Sequence, residues 1–229
     1  MSFGNKRWAT DPFVKVLQKQ NNLKDLKEVE HYFVNRMYDT IVSKQKTFIG
    51  WDEVTNAKIG KEKSLVMWWR HDKEELLQEL IKDDYQVILC PRIPMYLDFD
   101  QDESHKYGRK WKGEFCDLEK VYKFPDELNI DFANTKIQGI QGNLWTNRIS
   151  SENSFDYMTW PRLTAIAEAA WANHEQKDFD HFQQKLKKMH NVYDTFGLYY
   201  FDYFDPQKRN EPEGSGPQKW QQNHLKPYK

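Results

Sequence analysis

Four short apolar runs without alternation constrain this chain more than any other feature. They are Thr47-Phe48-Ile49-Gly50-Trp51, Ser64-Leu65-Val66-Met67-Trp68-Trp69, Gln86-Val87-Ile88-Leu89-Cys90 and Ile137-Gln138-Gly139-Ile140-Gln141-Gly142-Asn143-Leu144-Trp145. A strand with one wet face alternates apolar and polar residues, whereas these read as parallel strands covered on both faces. Around them the period becomes helical. Asp11 to Gln20 spaces Phe13, Val14, Val16 and Leu17 as a helix does, with Thr10 or Asp11 as cap and Pro12 in the first turn. Leu26 to Ser43 carries Val29, Tyr32, Phe33, Arg36, Met37, Thr40 and Ile41 at three- and four-residue steps. Asp72 to Lys82 is a helix with Leu76, Leu77, Leu80 and Ile81 on its apolar side. Pro161 to Trp171 is another, with Leu163, Ile166, Ala167 and Ala170 expected to face inward, and Phe179 to Phe196 is a further amphipathic one. Strands that alternate with helices predict a parallel α/β sheet, open or closed into a barrel.

The ends of the runs point to chemistry. Three of them stop on Trp51, Trp69 and Trp145. The third is followed by a long segment, Pro91 to Asn134, that contains Pro94, Tyr96, Asp98, Asp100 and Trp111. In a (β/α)₈ barrel the loops after strands build the active site. Any one of these Trp residues is as readily a core residue as a ligand platform. Indoles delivered to several strand ends read together as one shared site. The chain has nine Trp and is 15% aromatic, and Lys+Arg (34) nearly balance Asp+Glu (35). A net charge of -1 gives no electrostatic basis for nucleic acid or an anionic membrane as partner. Indole faces stack on the C–H faces of sugars as well as on bases and cations, and neutrality favours the sugar. Two cysteines, Cys90 and Cys116, make no disulfide framework. The seven His are scattered without metal-ligand spacing, so no metal or cofactor is expected. No stretch is long and apolar enough to span a membrane.

Gly50-Trp51-Asp52-Glu53, Val66-Met67-Trp68-Trp69-Arg70, Tyr96-Leu97-Asp98, Leu144-Trp145-Thr146 and Pro161-Arg162-Leu163…Ala167-Glu168…Trp171 stand in this order and spacing. Together they resemble the second half of the catalytic barrel of family 20 glycoside hydrolases, the β-N-acetylhexosaminidases, over about Trp8 to Trp171. The resemblance implies the C-terminal half of a TIM-type (β/α)₈ barrel, four parallel strands with flanking helices. Residues 1–205 would form this partial catalytic barrel and 206–229 a poorly ordered tail. It also implies a substrate-assisted retaining mechanism, in which the sugar's own acetamido oxygen attacks the anomeric carbon. By the same resemblance Trp51, Trp69 and Trp145 wall the acetamido pocket, Tyr96 hydrogen-bonds the acetamido oxygen, and Asp98 binds hydroxyls of the terminal sugar. The implied partner is a glycan ending in N-acetylhexosamine, and the implied location is periplasmic or secreted.

Two departures from the family pattern stand out. Asn147 occupies a place where the family usually has Glu, so a charge-assisted bond to sugar hydroxyls is lost. The catalytic Asp-Glu pair belongs in a Gly-Gly-Asp-Glu context, and the sequence contains no such motif. Asp52-Glu53 matches a different, non-catalytic position, and Asp102-Glu103 and Asp126-Glu127 stand in the wrong context. In related sequences the pair stands just before a segment like Ser2-Phe3-Gly4-Asn5-Lys6-Arg7-Trp8. The expectation is therefore a piece of a longer protein, through a start assigned inside a gene or a deliberate cut, with the acid pair upstream of Met1. Other readings are a non-catalytic sugar-binding module and a half-barrel interaction scaffold. Open strands at the two edges of a half-barrel would also favour a homodimer.

Overall fold

The structure, a computed structural model, describes residues 6–214. The quoted Ser2-Phe3-Gly4-Asn5 and the segment 215–229 lie outside the described residues. In chain order the elements are α1 (Lys6–Thr10), α2 (Pro12–Gln20), α3 (Leu26–Ser43), β1 (Phe48–Trp51), β2 (Ser64–Trp68), α4 (Glu74–Lys82), β3 (Gln86–Leu89), α5 (Arg92–Met95), α6 (Leu118–Lys123), β4 (Ile137–Ile140), α7 (Glu152–Thr159), α8 (Arg162–Trp171) and α9 (Phe179–Thr195). Short 3₁₀ turns complete the list, among them Asp52–Ala57 after β1 and Thr146–Arg148 after β4. The strands form one sheet in the order β1-β2-β3-β4. β1 and β2 are parallel, with Phe48 opposite Ser64 and Trp51 opposite Met67. β4 joins β3 through Val87 N–H to Lys136 O (3.1 Å) and Gln141 N–H to Leu89 O (3.0 Å).

Helix starts follow local chemistry. Asp11, Asp25, Asp117, Ser151 and Asp178 stand at the N-caps of α2, α3, α6, α7 and α9, each accepting from a first-turn amide. At α3 the box is doubled, because Glu28 also accepts from the Lys24 amide at 2.6 Å.

The described residues form two compact units. The first comprises residues up to 88 together with 132–138. Its core gathers Val29, Phe48, Ile59, Val66, Trp68, Leu77, Leu80 and Val87. The second comprises 89–131 and the residues from 139 onward. Its core is aromatic: Tyr122 stacks on Phe182 at 4.7 Å between ring centroids, and Tyr193 meets Tyr200 at 5.0 Å. Buried Leu118, Val121, Ala165 and Leu186 fill the spaces between the rings.

Four expectations are corrected. The apolar runs are not covered equally on both sides. In β2 Ser64, Val66 and Trp68 are buried while Leu65 and Met67 are only half-covered, and Ile49 of β1 is 55% exposed. Coverage by the described residues is thus uneven: β2 and β3 alternate buried with half-covered positions, whereas β4 has no buried residue. The fourth run forms a strand only over Ile137–Ile140, because after Gln141 the backbone pairs with the loop: Leu97 N–H bonds Asn143 O, and Asn143 N–H bonds Met95 O. In α8 the inward positions are Arg162, Ala165, Ile166 and Ala169, whereas Leu163 and Ala167 face outward. A polar side chain, Arg162, sets that helix face, which a reading of apolar spacing passes over. Finally, residues 206–214 hold defined bonds, with Arg209 stacked over Tyr200 at 4.0 Å and paired to Asp194 at 2.8 Å.

Candidate functional site

In the first unit, Trp51 ends β1 and Trp69 follows β2, on neighbouring parallel strands. Between them lies Asp52, which is fully buried. Its Oδ1 accepts from Arg70 Nε at 2.7 Å, and its Oδ2 accepts from the amides of Trp69 (3.2 Å) and Arg70 (3.4 Å). Burial pushes the Asp52 carboxyl up to about 6, against the pull of the Arg70 guanidinium. Glu53 stays exposed and accepts from the Trp69 indole N–H at 3.0 Å. The Asp52-Glu53 pair therefore acts as a brace. Asp52 fixes the backbone that carries Trp69, Glu53 fixes its indole, and neither is placed as an acid.

Tyr96, Asp98, Trp145 and Asn147 belong to the second unit. Tyr96 pairs with Asn143 as an isolated parallel bridge, which brings the start of the long loop beside the segment leading to Trp145. The Tyr96 and Trp145 rings lie 5.9 Å apart at 55°. Tyr96 is buried, and desolvation raises its phenol above the usual range, so it stays a neutral donor. Trp145 is 40% exposed. Asp98 is buried, 1% exposed, and its Oδ2 lies 3.0 Å from Arg109 Nε. Burial pushes its carboxyl up to about 6, opposed chiefly by Arg109. The same guanidinium donates from Nη2 to Asn147 Oδ1 at 3.0 Å. Arg109 thus ties the two hydroxyl-binding candidates into one polar row, in a register set by the Phe99–Arg109 bridge.

Beneath this row lies Arg162, fully buried in α8. Its Nη1 donates to Phe99 O (2.9 Å) and Cys116 O (3.0 Å), and its Nη2 donates to Leu97 O (2.6 Å) and Met158 O (2.5 Å). Leu97 and Phe99 flank Asp98, so one planar guanidinium fixes the backbone on both sides of that carboxylate. Burial lowers Arg162 to about 10, which leaves it charged at neutral pH. Nothing in the sequence marks the roles of Arg109 and Arg162. Arg162 stood in a quoted motif, Pro161-Arg162-Leu163, but nothing there said that it reaches back to residues 97–99. Arg109 carried no signal among the lysines of its loop.

The arrangement offers two half-exposed indoles in the first unit. The second unit offers a phenol, an indole and an acid–amide row held by an arginine. Such groups suit the apolar faces, amide and hydroxyls of a sugar. The other Asp-Glu pairs serve structure, since Asp102 accepts from Ser104 and Asp126 pairs with Lys177 at 2.7 Å.

Comparison with known proteins gives the same direction. The family model described as glycosyl hydrolase family 20, catalytic domain, matches residues 3–174. A β-hexosaminidase of Porphyromonas gingivalis is 29% identical over 198 residues, which is 85% of this chain and 25% of that protein. A β-hexosaminidase of Vibrio furnissii is 28% identical over 165 residues, 70% of this chain and 26% of that one. Among solved structures, the family 20 exo-β-N-acetylglucosaminidase of Vibrio harveyi in complex with N-acetylglucosamine superposes with a TM-score of 0.77 at 29% identity. That match covers 88% of this chain and 31% of the other. The chain spans about a quarter of the length of the curated relatives it matches.

Proposed function

Because the chain belongs to glycosyl hydrolase family 20, with the four parallel strands and flanking helices of part of a (β/α)₈ barrel, we propose that it supplies the acetamide- and hydroxyl-binding side of a β-N-acetylhexosaminidase. Its substrate would be a glycan ending in a β-linked N-acetylhexosamine. The observation that carries this reading is the Tyr96–Trp145 pair beside an Asp98–Arg109–Asn147 row. A neutral phenol next to an indole face suits an acetamide, and the polar row suits ring hydroxyls.

In the mechanism proposed, the 2-acetamido oxygen displaces the glycosidic oxygen from the anomeric carbon, inverting it and forming an oxazolinium-like species, and water then opens that ring with a second inversion, so the configuration is retained overall. Within the second unit Trp145 covers the acetamide methyl beside Tyr96 and excludes water, and in the first unit Trp51 and Trp69 offer indoles of the kind that wall an acetamide pocket. Hydrogen bonds in a dry pocket of this kind count for more than in water. Tyr96 donates to the acetamido oxygen and holds it in line, while Asp98 and Asn147 grip hydroxyls, with Asp98 kept in register by Arg109 and Arg162. Acetamide polarisation and proton donation to the leaving oxygen are assigned to an Asp-Glu pair outside this sequence, which has no Gly-Gly-Asp-Glu motif.

The direct test is ligand binding by the chain, followed through intrinsic Trp fluorescence. N-acetylglucosamine is expected to bind, and glucose, which lacks the acetamide, to bind far more weakly. Trp145→Ala is expected to abolish the difference. Equal affinity for both sugars would remove the basis of the assignment. The missing motif also favours a second reading, a binding module without turnover. Restoring a family-type Gly-Gly-Asp-Glu segment in a longer chain separates the two, since only the enzyme reading expects hydrolysis to appear.

A further inference from the structure

Beside the Asp98–Arg109–Asn147 row, where Asp98 and Glu211 line one pocket, the second unit gathers Asp100, His105 and Glu211, one donor atom from each lying within 4.8 Å of the others. No spacing in the sequence links the third residue to the first two. Asp100 and His105 are 2% and 4% exposed, and Glu211 is half-buried. The imidazole is held from one side. Its Nε2 lies 3.2 Å from the Tyr157 hydroxyl, and Phe201 meets the ring edge-on at 4.7 Å. Its Nδ1 is buried without a hydrogen-bond partner. Asp100 Oδ2 faces the Lys110 ammonium at 3.7 Å, and the Gly108 amide lies beside the carboxyl. Asp100 Oδ1 nevertheless has no hydrogen-bond partner of acceptable geometry. A Cβ at residue 108 would stand 2.0 Å from that oxygen, so glycine there is what leaves it open. Glu211 is oriented by two amides, Lys106 N–H to Oε2 (2.8 Å) and Tyr107 N–H to Oε1 (3.0 Å), which leaves each oxygen a second lone pair.

Buried polar atoms are ordinarily paired, and a trio whose donor atoms lie this close, with an unpaired buried atom on each of two members, calls for an occupant. The donor set of one imidazole nitrogen and two carboxylates defines its class. Ca²⁺ and Mg²⁺ take oxygen ligands, whereas imidazole with carboxylates suits first-row transition ions. The Tyr157 bond to Nε2 is the outer-shell contact that would orient a histidine ligating through Nδ1. We infer that Asp100, His105 and Glu211 form a binding site for a divalent first-row transition-metal ion, which clips the segment around Glu211 onto the loop that follows β3. The inference does not depend on the glycosidase reading.

The test uses the whole chain, stripped with chelator, dialysed against micromolar Zn²⁺, gel-filtered and assayed for bound metal. The expected result is about one Zn²⁺ retained per chain, with a higher melting temperature that chelator reverses. Both effects are expected to be lost in His105→Ala and in Glu211→Gln, and kept in the control His181→Ala. If His105→Ala fails to fold, the isosteric Glu211→Gln on the half-exposed segment decides alone. Substoichiometric Zn²⁺, retention unchanged in Glu211→Gln, or Ca²⁺ held as firmly as Zn²⁺ would each overturn the assignment.

Discussion

A buried arginine with four backbone carbonyls around it shows how the polar row is held. Removing Arg162 would leave Leu97, Phe99, Cys116 and Met158 carbonyls without their donor in a dry environment. Arg162→Met is therefore expected to destabilise the second unit by about 3–5 kcal/mol, measured by urea unfolding. Arg162→Lys is expected to recover little, since one ammonium cannot reproduce a planar fork. The sugar contacts should separate kinetically in a catalytically complete protein that contains these residues. In its proposed role Asp98 would grip hydroxyls in ground and transition states alike, so Asp98→Ala is expected mainly to raise KM. The proposed Tyr96 bond would strengthen as the acetamide gains charge, so Tyr96→Phe is expected mainly to lower kcat. A Tyr96→Phe variant with unchanged kcat and raised KM would refute the role given to Tyr96. The placement of the indoles, Tyr96 and Asp98 at or beyond strand ends was legible, because the apolar runs stop there. Arg109 was not, because its meaning lies in a fold-back of the loop that has no period to read.

Among the elements, the turn after β1 and the end of β2 are locked by one carboxylate. Asp52→Ala removes a charge-assisted bond to Arg70 and two weaker amide bonds, and is expected to cost about 1.5–3 kcal/mol. The Trp69 indole N–H resonance should broaden in the same variant. The lock has a pH signature whose sign follows from burial. The folded carboxyl, pushed up to about 6, holds its proton more tightly than an unfolded Asp near about 3.9. Its contribution to stability is therefore full below about pH 4 and declines as pH rises to about 6. The stability difference between the parent and Asp52→Asn, followed by denaturant titration, should shrink across that window and stay flat above it. Helix α3 begins and ends where its spacing and Asp25 cap place it. Its apolar side was less legible, since Val29 is its one buried residue and Phe33 is 60% exposed. Periodicity identifies a helix, but coverage depends on neighbours that spacing does not name.

The whole chain leaves much apolar surface in water. Phe13, Phe33, Trp171 and Phe196 are all well exposed, and β1 and β4 stand at the two ends of the strand order. Isolated chains with open strand edges and exposed aromatics associate. Light scattering during size exclusion is expected to give a mass above 27.7 kDa. A monodisperse peak at that mass with a cooperative melt would refute it. The chain alone is expected to release no p-nitrophenol from an N-acetylglucosaminide, because general acid catalysis is worth about 10²–10⁴-fold and the proposed mechanism assigns its donor to a pair outside this sequence. Release abolished by mutating a residue of this chain would contradict that.

The strand order repeats the order of the chain, and this has a consequence in time. β1, β2 and β3 are neighbours in space and near-neighbours in sequence, so each can dock on its predecessor as soon as it is made. The fourth must wait for the 47 residues between Leu89 and Ile137 to be synthesised, and its docking also closes the largest loop within the sheet. Assembly of the sheet is thus vectorial for three strands and delayed for the last. During that interval the free edge of β3 is the surface most in need of protection on the ribosome.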